Sequence, residues 1–269
     1  MTDKQHWTLD SIAWGELRRE LIVNSEELFY MVAGASFIET TSDLYTRNLV
    51  RHFSGNEEVR EWLEQSWEPE ELQHGRALRE YVRHAWPEFD WDGQYARFFA
   101  DYSALCKPEM LLPERSLELA SRCVVEMGTA SYYTALHHAS TEPVLAQLAK
   151  HIFEDEVGHY KYFYKYFRHY RDLENTSRTQ VLGALWHRLK VIEDEDSYIA
   201  LKHVHATRHP DQPYDKAVYK EIMGRIRKLA GKHIPHRMSV NMLLTPLDMA
   251  PMARRVVQPV MESVARLVA

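Results

Sequence analysis

Cysteine, glycine and proline are scarce in this chain, and each scarcity excludes a class of structure. Two cysteines, Cys106 and Cys123, in 269 residues are too few for a disulfide framework or a four-thiolate iron site, and they point to a reducing compartment. Ten glycines and eleven prolines, with 27 % charged residues, favour long helices over many short strands. No long block of one charge sign occurs, and a net charge of −6 makes nucleic acid an unsuitable main partner. The polar opening Met1–Asp10 lacks an apolar signal core, and no apolar run reaches the roughly 20 residues that span a bilayer. A cytoplasmic protein with no membrane span is expected. With 45 % hydrophobic residues and no compositional boundary, residues 1–269 read as a single helical domain.

What is present is helical periodicity. Asp10 to Val23 reads as a short leader helix, and Asn24 and Ser25 offer cap chemistry for a helix running to about Phe53. Its stripe Leu28, Val32, Ala35, Glu39 and Thr46 carries a single acid among small or apolar residues. Ser54-Gly55-Asn56 forms a turn in which Ser54 and Glu57 are spaced as a capping box, and a second helix follows to about Ala85. Pro69 lies inside it and predicts a kink or restart. Three prolines punctuate the connection Trp86–Pro113, where Tyr95 to Leu105 reads as a short helix. A third helix runs from about Glu114 to His138. A fourth is capped by Thr141, tolerates Pro143 in its first turn and continues to about residue 173. The tail holds helices over Ser177–His205, Asp215–Ala230 and from about Met249 to the end.

The chemistry sits in two Glu-x-x-His pairs, Glu71/His74 and Glu156/His159, whose members share a helix face. With 15 His and 26 Glu, chance alone supplies about 1.4 such pairs, so the pairs gain weight only from their surroundings. Glu39 precedes Glu71 by 32 residues and Glu126 precedes Glu156 by 30. A rise of 1.5 Å per residue carries the chain roughly 20 Å to a turn and back to the same level, so all four positions meet in one layer. The 55 residues between Glu71 and Glu126 supply a long crossover. One Glu from each of two helices, with Glu-x-x-His from each of the other two, is the ligand set of ferritin-like di-iron carboxylate proteins. Ordinary surface Glu/His pairs are the plainer reading; Glu39 and Glu126 on apolar stripes weigh against it.

Trp67-Glu68-Pro69-Glu70-Glu71-Leu72-Gln73-His74-Gly75 resembles the helix motif of the acyl-acyl carrier protein desaturases. Asp155-Glu156-Val157-Gly158-His159 is similar to their second motif, although that family usually has basic residues at the two variable places, and Glu126-Met127-Gly128-Thr129 matches a third. The resemblance covers about Glu39 to Tyr166. It implies an all-α, ferritin-like four-helix bundle over about residues 24–173, with an added N-terminal helix and C-terminal helices over 177–269. It implies two iron ions held by Glu39, Glu71, His74, Glu126, Glu156 and His159, with Glu71 and either Glu126 or Glu156 as bridges. Thr129 would serve oxygen activation. Asp155 is expected to hydrogen-bond His74 and Glu70 to hydrogen-bond His159, orienting the ligand rings.

The implied activity is oxygen-dependent desaturation of an acyl chain, free or on an acyl carrier protein, with electrons from a separate ferredoxin-type donor and a homodimer as the assembly. Hydroxylation or amine N-oxygenation is the alternative at the same centre, and iron handling is the alternative of another class. The basic run Lys216, Lys220, Arg225, Arg227, Lys228 and Lys232 reads as a solvated face, with carrier docking as the functional alternative. His137, His138, His203 and His205 read as surface residues, and the tyrosines from Tyr160 to Tyr170 as packing.

Overall fold

A computed structural model describes residues 7–191 and 196–268. Among these the secondary structure is entirely helical, and no helix is long and apolar enough to cross a membrane. The polar opening residues Met1–His6 lie outside the described residues.

The expected leader helix over Asp10–Val23 is instead three single 3₁₀ turns, at Leu9–Ser11, Trp14–Glu16 and Arg19–Leu21. Ile12 and Leu17 are extended, with ψ of 130° and 125°, and separate the turns, so no continuous helix forms. The segment is a strap. Arg19 donates through Nε to the Ala85 carbonyl at 2.7 Å, and the Arg18 N–H reaches Glu142 at 3.1 Å.

Helix α1 (Glu26–Thr40) starts at Ser25, whose Oγ accepts the Leu28 N–H. The single helix expected to run to Phe53 breaks at Thr41, and α2 (Ser42–His52) continues beyond it. Thr40 and Thr41 explain the break. Their hydroxyls donate to the carbonyls of Ser36 and Ile38, each at 2.6 Å, a back-bonding that bends helices. The next helix is capped by Asn56, whose Oδ1 accepts the Val59 N–H at 3.1 Å; the Ser54 capping box does not form. After α3 (Glu57–Trp62), a π-helical turn over Leu63–Trp67 leads into α4 (Glu68–Ala85). Pro69 lacks an N–H and its ring crowds the carbonyl four residues back, so the wider turn relieves the restart expected there.

Helix α5 (Trp91–Ser103) begins earlier than expected because Asp90 caps it. Helices α6 (Arg115–Ala139) and α7 (Pro143–Glu174) form the most extensive pairing of the fold. The two run antiparallel, since Glu174 at the end of α7 accepts the N–H groups of Arg115 and Ser116 at the start of α6. The expected span Ser177–His205 is two helices, α8 (Arg178–Val191) and α9 (Asp196–Arg208); residues 192–195 lie outside the described residues. Helix α10 (Lys216–Ala230) forms where expected, α11 (His236–Leu244) is additional, and α12 (Pro251–Val268) follows.

Helix α1 packs on α4, and α4 meets α7 across the interior, while α8 and α11 cover α6 and α9 covers α1 and α5. One aromatic core, with Phe29, Phe37, Trp86 and Phe98, lies toward the strap and α5. A second, with Phe53, Trp62, Phe163 and Phe167, fills the other end. Tyr160 and Tyr170 serve packing there, through bonds to the Met242 carbonyl and the Asn56 amide.

The cap of α7 is Glu142 in place of Thr141. Its carboxylate is fully buried and accepts from the N–H groups of Val144 and Leu145, the Arg18 N–H and the Tyr81 hydroxyl. Glu142→Ala removes both the cap and the anchor of the strap. It should cost about 2–4 kcal/mol of stability, read as a lower midpoint in urea unfolding. An unchanged midpoint would show that the carboxylate contributes nothing to holding strap, α4 and α7 together.

Candidate metal centre

Six side chains from four helices converge in one layer. Glu39 comes from the last turn of α1, Glu71 and His74 from successive turns of α4, Glu126 from the middle of α6, and Glu156 and His159 from α7. All are buried, with exposures from 0 % at His74 to 7 % at Glu39 and Glu71. They form two groups, Glu39/Glu71/His74/Glu156 and Glu71/Glu126/Glu156/His159, within each of which the ligand atoms lie within 4.8 Å of one another. Glu71 and Glu156 belong to both.

The two imidazoles aim Nδ1 inward. His74 Nδ1 lies 3.3 Å from Glu156 Oε1 and 4.0 Å from Glu39 Oε2. His159 Nδ1 lies 3.0 Å from Glu71 Oε1 and 3.5 Å from Glu126 Oε2. Neither nitrogen has a hydrogen-bond partner of acceptable geometry, and neither has Glu126 Oε2 or Glu156 Oε1. Orphaned buried polar atoms are costly, and four of them facing a common interior would be satisfied together by cations seated among them. Carboxylate oxygens with one imidazole in each group suit divalent first-row metals.

The outer ring nitrogens are held by acids across the interior. His74 Nε2 lies 3.0 Å from Asp155 Oδ2 and His159 Nε2 lies 2.7 Å from Glu70 Oε2, the pairings read from the sequence. Such bonds fix the tautomer that leaves Nδ1 free to ligate. Three further contacts were not foreseen. Trp7 Nε1 donates to Asp155 Oδ2 at 2.7 Å, and its ring lies parallel to that of His74. Tyr133 donates to Glu39 Oε1. Thr129 Oγ1 donates to Glu156 Oε2 at 2.6 Å. Tyr133 lies seven residues after Glu126 on the same helical stripe, which is a signal of sorts; Trp7, in a polar leader, offers none.

Gly75, directly after His74, has a steric reason. A Cβ there would stand 2.7 Å from the Thr40 backbone nitrogen, so only glycine lets α4 approach α1 beside Glu39.

Electrostatics follow from burial. Desolvation, then the neighbouring carboxylates, holds Glu39 and Glu71 above the ordinary range, and burial carries Glu126 up to about 8. Burial opposes ionisation of Glu156 too, yet the close imidazoles of His159 and His74 keep it below the ordinary range. Burial likewise opposes charge on the imidazoles. The acids around them nonetheless raise both His74 and His159 well above the ordinary value. Protons balance the layer in this form, and bound cations displace them.

A cavity of about 290 Å³ adjoins the layer, with Glu39, Thr129 and Tyr133 in its wall. Elsewhere His203 and His205 are buried rather than at the surface, bonded to Asp101 and to the Tyr30 hydroxyl. Trp67 packs edge-on against His159. Arg225 of the basic run is engaged by Glu26 and Glu27.

No family model, curated protein or solved structure matches the chain.

Asp155→Asn keeps the shape of the side chain while removing its charge beside His74. Affinity for a divalent first-row metal ion should fall by about 10–100-fold with far-UV circular dichroism unchanged. Affinity equal to that of the parent protein would remove Asp155 from any role in setting the ring.

Proposed function

We propose that this chain is a ferritin-like di-iron oxidase of the kind the acyl-acyl carrier protein desaturases represent, acting with dioxygen on an unactivated C–H bond of an acyl chain. The observation that carries the reading is the pair of ligand groups sharing Glu71 and Glu156 in a buried layer that borders an apolar cavity. In this reading Glu39, Glu71, His74, Glu126, Glu156 and His159 would hold two iron ions, with Glu71 and Glu156 common to both ligand groups.

Two ferrous ions so held supply the redox chemistry: dioxygen, two electrons and two protons are consumed, two hydrogens leave the substrate, and a double bond and two waters result. The protein's residues do the rest. Asp155 and Glu70 hold the imidazole rings, and Trp7 and Tyr133 hold the acids Asp155 and Glu39. Thr129 carries a hydroxyl proton on Oγ1 at the cavity wall, 2.6 Å from Glu156 Oε2, where it can be passed toward the layer. Apolar groups of α1, α6 and α9 line the cavity and keep water from the reacting bond. The electrons come from a separate ferredoxin-type donor.

The cavity favours an organic substrate over iron handling, because storage of an ion requires no apolar chamber beside the ligands. Hydroxylation or amine N-oxygenation uses the same centre with a different fate for the substrate.

Metal analysis of the reconstituted protein should find two irons per chain, and Glu126→Ala should lose at least one of them. Two irons retained in that variant would show that α6 has no part in the site. Aerobic turnover of the reduced, iron-loaded protein with free and carrier-bound acyl chains should yield a new double bond. A hydroxylated product would transfer the assignment to the oxygenases, and oxygen consumed with the substrate unchanged would sink the oxidase reading.

A further inference from the structure

The cavity beside Glu39 and Thr129 has a neighbour of about 240 Å³ enclosed by Tyr45, Tyr102, Cys106, Glu118 and Arg122. Arg188 of α8 and Asp196 of α9 line both, so they stand where the two meet. Arg188 is half-buried in this wall. Its Nε is buried without a hydrogen-bond partner, and no carboxylate of the described residues comes within 4.0 Å of its nitrogens. Its neighbour Arg122 shows the ordinary arrangement, with Nε 2.8 Å from Glu118. Burial, with the like charge of Arg122, holds the Arg188 guanidinium below its ordinary range, whereas the acids around Arg122 hold that one above. The nearby acid Asp196 lies 3.5 Å from the Tyr45 hydroxyl and forms no ion pair with Arg188.

Asp196 and Glu118 act on it electrostatically from beyond ion-pair distance, so among the described residues its planar fork is left to match a carboxylate through two parallel hydrogen bonds. From Arg188 the wall of the first cavity continues through Leu201, Met31, Gly34, Ile38 and Val125 to Glu39 and Thr129. At about 290 Å³ the half-open cavity is at the small end of ligand pockets, which suits a medium-chain acyl group. Gly128 keeps this space open, since a Cβ built on it meets nothing within 4 Å.

We propose that Arg188 is the carboxylate anchor of the substrate site, and that the ligand is a free medium-chain or similarly sized carboxylic acid whose apolar body lies against the metal layer. The assignment of this ligand as substrate rests on the oxidase reading; its binding does not. A carrier-bound thioester has no carboxylate to offer Arg188, so the site selects the free acid.

The test is calorimetric titration of the metal-free protein with octanoate and with 1-octanol, which share a tail and differ in the head group. Octanoate should bind at least tenfold more tightly than the alcohol. Arg188→Met should erase that preference while leaving octanol binding unchanged, and Arg188→Lys should restore part of it. Gly128→Leu, which fills the chamber, should weaken both ligands together. Equal binding of acid and alcohol to the parent protein would overturn the proposal without any variant, as would an acid preference that survives in Arg188→Met. Failure of this inference and failure of the oxidase reading are separable. Arg188-dependent octanoate binding without oxidation leaves the anchor standing and removes the oxidase. Turnover of carrier-bound chains with no octanoate binding does the reverse.

Discussion

Four carboxylates and two imidazoles occupy one layer from which water is almost entirely excluded, and the requirement to neutralise that layer governs what surrounds it. Each buried ion loses several kcal/mol of solvation that an apolar helix interior cannot return. Burial therefore pushes Glu126 up, while the imidazoles on either side of Glu156 recover part of the cost and hold it down. Four polar atoms nevertheless remain without partners, all on ligand-type residues. The helices are thus arranged to supply more negative charge and more donor atoms than the polypeptide itself can satisfy. A cation site is the arrangement in which that excess is stabilising.

Placing ligands from four helices in one layer also demands local departures from regular helix, and these cluster around it. Glu39 lies two residues before the break at Thr41, and Glu71 follows four residues after the π-helical turn that absorbs Pro69. Between them Gly75 permits backbone contact with Thr40, so α1 and α4 approach at the level where Glu39 and His74 must meet. Each departure costs stability alone. Together they set the depth and rotation of two helices so that Glu39, Glu71 and His74 converge in one layer.

The convergence of the six side chains was legible because two of its determinants are local and periodic. An i, i+3 pair reports a shared face, and a separation near 30 residues reports the return of a helix hairpin to one level. Asp155 and Glu70 followed from adjacency to those pairs. The caps were less legible, because residue type alone favoured Ser54 and Thr141. Asn56 and Glu142 form the caps instead, since each is also held by tertiary contacts: Asn56 by Tyr170, and Glu142 by Arg18 and Tyr81. The leader misled for a related reason. Its amphipathic spacing suggested a helix, but its buried anchors meet a curved surface made by other elements, so it lies as a strap. Trp7 could not be found from sequence at all. Its partner Asp155 is 148 residues away, and no periodicity links them.

The strap gives the centre an asymmetry that its near-symmetric ligand set lacks. On the α4–α7 side, Trp7 closes the layer by bonding Asp155 and lying against His74, and the Gln73 side chain returns a hydrogen bond to the Trp7 carbonyl. On the α1–α6 side, Glu39 and Thr129 meet a chamber lined mainly by apolar groups. One face is therefore sealed by hydrogen bonds that orient ligands, while the other is left to packing that an apolar ligand can replace. Hydrogen-bonded closure is costly to open, because every broken bond strands a buried polar group. An apolar wall carries no such penalty. Exchange of a small organic molecule is consequently easiest beside Glu39 and Thr129, and the Arg188 guanidinium, which among the described residues forms no ion pair, supplies the charge that decides which molecule is held there.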